Sequence, residues 1–239
     1  MNKVYNGVSS LIRRVVGPDD APEPTTFRWV EFLQKRWWLL LVLAAVVGFA
    51  AGLASGFLVF RRDESPHPTL GLFVTPVVLL GYAAARPGQA AWAGLAALLF
   101  AVLGDFVGVR YTLPEHDLLL YRTWFVFALC IGPLLGVLGY LIRARWKVVR
   151  AAATGVVTAL VLVPFYYRFE GDEFLVDSMT PYTMVFDAAS IAVFLILCRG
   201  ALSRVAAALL AYLLVWGIRL LPLLYLWFLF LLWAFGEGA

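Results

Sequence analysis

Long apolar runs separated by short polar breaks fill the chain from Trp37 to Phe235. A helix needs about 20 apolar residues to cross a hydrocarbon layer about 30 Å thick. With no water in that layer, the backbone must satisfy its own hydrogen bonds. Seven runs qualify as spans: 37–60, 69–85, 89–109, 118–142, 148–167, 179–198 and 203–235. The second is short and holds Pro76, which predicts a kinked helix or one partly surrounded by protein. The seventh is long for one straight crossing and is interrupted by Gly217, Arg219 and Pro222. It fits either one tilted, kinked span or an interfacial helix followed by a shorter span, and we read it as one crossing. The predicted fold class is an all-α, polytopic transmembrane helix bundle of about seven spans.

The pattern changes ahead of these runs. Val4, Val8, Leu11, Ile12 and Val15 recur at helical spacing among Lys3, Asn6, Ser10, Arg13 and Arg14, which predicts an amphipathic interfacial helix over 1–16. Such a helix suits an anionic membrane surface or a soluble docking partner. It lacks the continuous apolar core of a cleavable signal peptide. Residues 17–26 (GPDDAPEPTT) form a stiff acidic linker, because proline blocks both helix and sheet. Thr26 can cap a short helix, FRWVEFLQKR, that leads into the first span. Residues 27–235 then make one transmembrane domain.

Composition agrees with the pattern: 63% of the 239 residues are hydrophobic and 14% charged, against about 45–50% and about 25% in soluble domains. The net charge of +4 matters through its distribution rather than as a sign of a nucleic-acid partner, which is not expected. Cys130 and Cys198 fall inside apolar stretches without a CxxC or a histidine-rich neighbourhood. Both are expected to be buried small apolar residues rather than ligands or disulfide partners.

The basic residues orient the bundle. With the N-terminus inside, Lys3, Arg13, Arg14, Arg28, Lys35, Arg36, Arg86, Arg143, Arg145, Lys147, Arg150, Arg199 and Arg204 are cytoplasmic, and only Arg61, Arg62, Arg110 and Arg168 are outside. The positive-inside rule therefore predicts a multi-pass protein of a bacterial-type inner (plasma) membrane with a cytoplasmic N-terminus.

Four ionisable residues lie within the spans: Asp105, Arg122, Asp187 and Arg219. A charge in lipid is costly, so each is expected to face the interior with a partner. Asp105 and Arg122 flank the loop RYTLPEHDL, and Asp187 and Arg219 straddle the turn RGALSR, which predicts two acid and base pairs at matched depths. Such pairs serve either a gated polar pathway or helix register. Ala44, Gly48, Gly52 and Gly56 repeat every four residues, a small-residue ridge for close packing within the chain or against another subunit. Ala93, Ala97 and Ala101 form a second stripe that ends at Asp105, and Gly132, Gly136 and Gly139 a third. In the outer loops, His67 and His116 lie near Asp63 and Glu115, a weak candidate for an outer-face metal or pH-sensing site.

No HExxH, GxSxG or Asp-rich catalytic motif appears, so catalytic residues, a cofactor and a resident metal are not expected. The glycine ridge, the amphipathic N-terminus and the greasy stretch 220–235 favour a non-enzymatic subunit of a larger membrane complex or transporter. Its partners would be the bilayer and a membrane protein or further copies of itself. A stand-alone small transporter or channel using Asp105/Arg122 and Asp187/Arg219 is the alternative, and a membrane-embedded enzyme the third reading.

Overall fold

The computed structural model describes residues 28–59, 70–112, 118–169 and 181–217, and these residues form helices joined by short turns, with no strand among them. The helices are α1 (Arg28–Lys35), α2 (Trp37–Val59), α3 (Leu70–Ala83), α4 (Pro87–Thr112), α5 (Leu118–Leu141), α6 (Lys147–Phe169), α7 (Pro181–Leu197) and α8 (Ala201–Gly217). Within α2, α4 and α5, the segments Trp37–Phe57, Pro87–Tyr111 and Trp124–Leu141 are long and apolar enough to cross a membrane. Three shorter apolar stretches, Leu70–Ala83, Met184–Leu197 and Ala201–Gly217, accompany them. The chain is a helical membrane protein. The predicted segments 1–16 and 17–26, the stretch 220–235, Arg219, and the outer-loop residues Asp63, His67, Glu115 and His116 lie outside the described residues.

Helix α3 is the centre of the bundle, touching α1, α2, α4, α5, α6 and α7. At 14 residues it is about 21 Å long, too short for a layer of about 30 Å. Protein replaces lipid around it, so its ends need not reach the headgroups. Phe73, Val74, Val77, Val78, Leu80 and Tyr82 are all buried against its neighbours.

Small residues set how closely the long helices approach. A Cβ on Gly48 would run into the Ala97 carbonyl, and one on Gly52 into the Ala101 carbonyl. One on Gly56 would come 2.9 Å from the Asp105 carbonyl oxygen. The ridge of α2 thus lies against the alanine stripe of α4 within the chain, and Ala44 is fully buried with it. Gly136 of α5 likewise meets Ala90 and Gly94 of α4 and Gly81 of α3.

The turns 84–86, 142–146 and 198–200 all fall at one end of this up-and-down arrangement, which gathers Arg86, Arg143, Arg145 and Arg199 there. Gly200, with φ of +90°, makes the tight reversal from α7 to α8. The Arg204 guanidinium donates from Nε to the Cys198 carbonyl at 2.8 Å, a cation on the negative end of α7. Trp37, Trp38 and Trp146 are exposed at this basic end, as an aromatic belt at a membrane interface requires.

Candidate functional site

Both ends of the short central helix hold buried ionisable side chains. At its start, the first-turn N–H groups have no partner within the helix. Asp187 reaches across from α7, and its Oδ1 accepts a hydrogen bond from the Gly71 N–H at 2.7 Å. The positive end of the α3 dipole favours a carboxylate in this position. Glycine at 71 allows this approach, since a Cβ there would meet Asp187 Oδ1 and lie 2.7 Å from Ser190 Oγ, so both side chains would have to shift.

Asp187 is 1% exposed, and its Oδ2 has no hydrogen-bond partner among the described residues. Ser190 does not supply one, because its hydroxyl donates to the Phe186 carbonyl at 2.7 Å. Thr75 Oγ1, one turn along α3 from Gly71, and Thr158 Oγ1 on α6 are also buried without a partner among the described residues. On α6, Arg150, Thr154 and Thr158 follow one another at intervals of four and form one buried stripe.

The other end of α3 carries the opposite charge. Arg143, in the turn after α5, donates from one nitrogen to the Tyr82 carbonyl at 2.8 Å and the Ala84 carbonyl at 3.1 Å. Its guanidinium also stands over the Tyr82 ring, 5.6 Å from the centroid. With its amide oriented to accept, Gln34 of α1 takes two further bonds from Arg143, at 2.8 and 3.1 Å. The carbonyls at the end of α3 are thereby satisfied by a cation aligned with the helix dipole. Burial pulls the Arg143 guanidinium below its ordinary pKa, Tyr82 and Tyr140 push it back up, and Arg199 adds to the fall. Arg143, Arg150 and Arg199 line a small pocket here with Tyr82, Ile142 and Leu197.

The other predicted residues are placed differently. Asp105 is half-buried on α4, where its backbone faces Gly52 and Gly56 of α2. Arg122 is exposed on α5. It stands about one turn from the start of that helix, and so long a side chain can carry its charge to the interface. Cys198 is buried, but Cys130 is exposed on α5, against the expectation that both are buried. Cys130 shares its exposed face with Val126, Phe127, Leu129 and Leu134, a surface suited to lipid.

The arginine cluster was not recognised from the sequence. Arg143, Arg150 and Arg199 read there as ordinary inside-loop charges. The available signal was that each stands within a few residues of a helix end on the same side of the bundle, where antiparallel packing brings helix ends together. Fold and site together define a polytopic α-helical membrane protein with opposite charges buried at the two ends of a short central helix. The chain matches no protein-family model, no curated protein and no solved structure.

Proposed function

We propose that the chain is a small transport protein of a bacterial-type inner membrane, with its N-terminus in the cytoplasm and the Asp187 carboxyl handling a proton or small cation in the bundle interior. The observation that carries this reading is the buried Oδ2 of Asp187, without a partner among the described residues, at the start of a helix too short to cross the bilayer. Capping α3 uses only Oδ1, so the second oxygen stays available to a proton or cation. Short helices that begin within the membrane are a recurring way to build a midplane transport site. Asp187 lies 11 residues before Cys198, about 16 Å along the helix and close to half of the bilayer core. Apart from Tyr82 at its far end, α3 has no ionisable residue to face this carboxyl, and on α6 the described candidates are Lys147 and Arg150 at the basic end. Asp187/Arg219 and Asp105/Arg122 remain candidate gating pairs within this proposal.

The test is ion flux into liposomes that hold the purified protein and an internal pH-sensitive dye, under an imposed potential. The wild type should carry protons or alkali cations, and Asp187→Asn should fold but lose the flux, because an amide can neither release a proton nor ligate a cation as a carboxylate does. Undiminished flux in folded Asp187→Asn would sink the reading. The alternative of a non-enzymatic complex subunit drew on a ridge that α4 covers and on segments 1–16 and 220–235. A partner that co-purifies stably, leaving the isolated chain without flux, would favour that alternative.

A further inference from the structure

We infer that the pocket among Arg143, Arg150 and Arg199 at the basic end of the bundle binds a phosphate-bearing anion. Three guanidinium groups from separate segments converge there: the turn after α5, the first turn of α6 and the turn after α7. Among the described residues, no carboxylate lines the pocket. Arg143 and Arg150 are only 7% and 6% exposed, and the Nε of each is buried without a hydrogen-bond partner among the described residues.

Burying the guanidinium groups of Arg143 and Arg150 together is unfavourable unless an opposite charge joins them. Arg143 already has a structural duty at the end of α3, yet its Nε is spare. Among the described residues the Arg150 side chain has no helix end to cap, and its Nε is buried without a partner. Convergent, planar, multi-donor groups suit an anion with several oxygens, and phosphate is the usual partner of arginine in such settings. Trp146, exposed in the turn between Arg143 and Arg150, marks this end as interfacial, where phosphate can come from an anionic lipid headgroup or from solution. Basic pockets between transmembrane helices on the inner side commonly take lipid headgroups.

The experiment uses the full chain in nanodiscs. In one arm, discs of phosphatidylcholine with phosphatidylglycerol are read by native mass spectrometry for retained phosphatidylglycerol. In the other, discs of phosphatidylcholine alone are titrated calorimetrically with inorganic phosphate and pyrophosphate. The wild type should bind in at least one arm, and Arg150→Gln should weaken that binding by about tenfold, the loss expected for a charge-assisted hydrogen bond. Arg86→Gln, an exposed arginine at the same end, should bind as the wild type does. If Arg150→Gln fails to fold, Arg150→Lys keeps the charge but not the fork and should still weaken binding several-fold. Retained phosphatidylglycerol that inorganic phosphate does not displace assigns the site to a headgroup, whereas titration in phosphatidylcholine discs assigns it to a free anion. The inference is overturned if the wild type binds neither probe, or if Arg86→Gln loses as much as the Arg150 variant.

Discussion

Where α2 crosses α4, backbone meets backbone: Gly48, Gly52 and Gly56 rest on the Ala97, Ala101 and Asp105 peptides, with no side chain between them. Between α3, α6 and α7 the contacts are of another kind, with Thr75, Thr158 and Asp187 burying oxygens that have no partner among the described residues. Lipid tails are as apolar as leucine, so helices gain nothing by hiding apolar surface from them, and close van der Waals contact has to hold the first seam together. The second region gives up some of that stability, since a buried unsatisfied polar group costs about 1–3 kcal/mol. Ser55 Oγ is the one such group on the α2 side of the molecule among the described residues. The contrast assigns the first region to holding the bundle, and it is the second that the proposed function uses.

The largest break in this contrast should come from the seam. Gly52→Leu forces a side chain into the Ala101 carbonyl, and because both partners are backbone the helices must separate. A loss of more than about 3 kcal/mol is expected, seen as absence of a monodisperse peak or a collapsed melting temperature in detergent. A stable, well-behaved Gly52→Leu protein would show that the seam is not tight.

Next in size is Arg143→Ala, which strips a cation from the Tyr82 and Ala84 carbonyls and should cost about 1.5–3 kcal/mol. Arg143→Lys should recover only part of that, because a compact ammonium lacks the planar fork with which the guanidinium reaches the carbonyls and Gln34. Equal melting temperatures for the wild type and Arg143→Ala would remove the cap from the account.

A smaller effect on stability is expected in the polar region itself. Asp187→Asn retains an oxygen for the Gly71 N–H and should change stability by less than about 1 kcal/mol, whereas Asp187→Leu leaves that donor bare and should cost about 1–3 kcal/mol. If both variants melt alike, the bond to Gly71 contributes little. Smallest of all, Arg204→Ala removes an exposed cap from α7 and should cost about 0.5 kcal/mol, near the resolution of a detergent melt.

The helices were legible because lipid leaves the backbone no other choice: the runs 37–60 and 118–142 correspond to Trp37–Val59 and Leu118–Leu141, each ending within a residue of the expected position. The ridge on α2 was legible too, since a four-residue repeat of glycine is a property of one helix. Its partner is not such a property, and only the fold shows α4 in that place. The same limit hid the chemistry. Asp187 stood out as a charge in an apolar run, yet its partner Gly71 is 116 residues away, and a backbone N–H left bare by a helix start has no signature in a pattern of side chains. The bonds from Arg143 to Tyr82 and Ala84 span 61 and 59 residues, so a residue that counts as a loop charge along the chain becomes a helix cap in space. Arg122, intramembrane by position along the chain, stands near a helix end and is exposed.

The central claim is that Asp187 carries a carboxyl in the membrane interior that water does not reach and that can take up a proton. Carbodiimides test it most directly, because they modify protonated carboxyls and come in lipid-soluble and water-soluble forms. In liposomes, the lipid-soluble dicyclohexylcarbodiimide should add to the peptide containing Asp187, detected by its mass, and should abolish flux. A water-soluble carbodiimide should leave that peptide unmodified, and Asp187→Asn should remove the adduct. Modification of Asp187 by the water-soluble reagent, or none by the lipid-soluble one, would contradict the account.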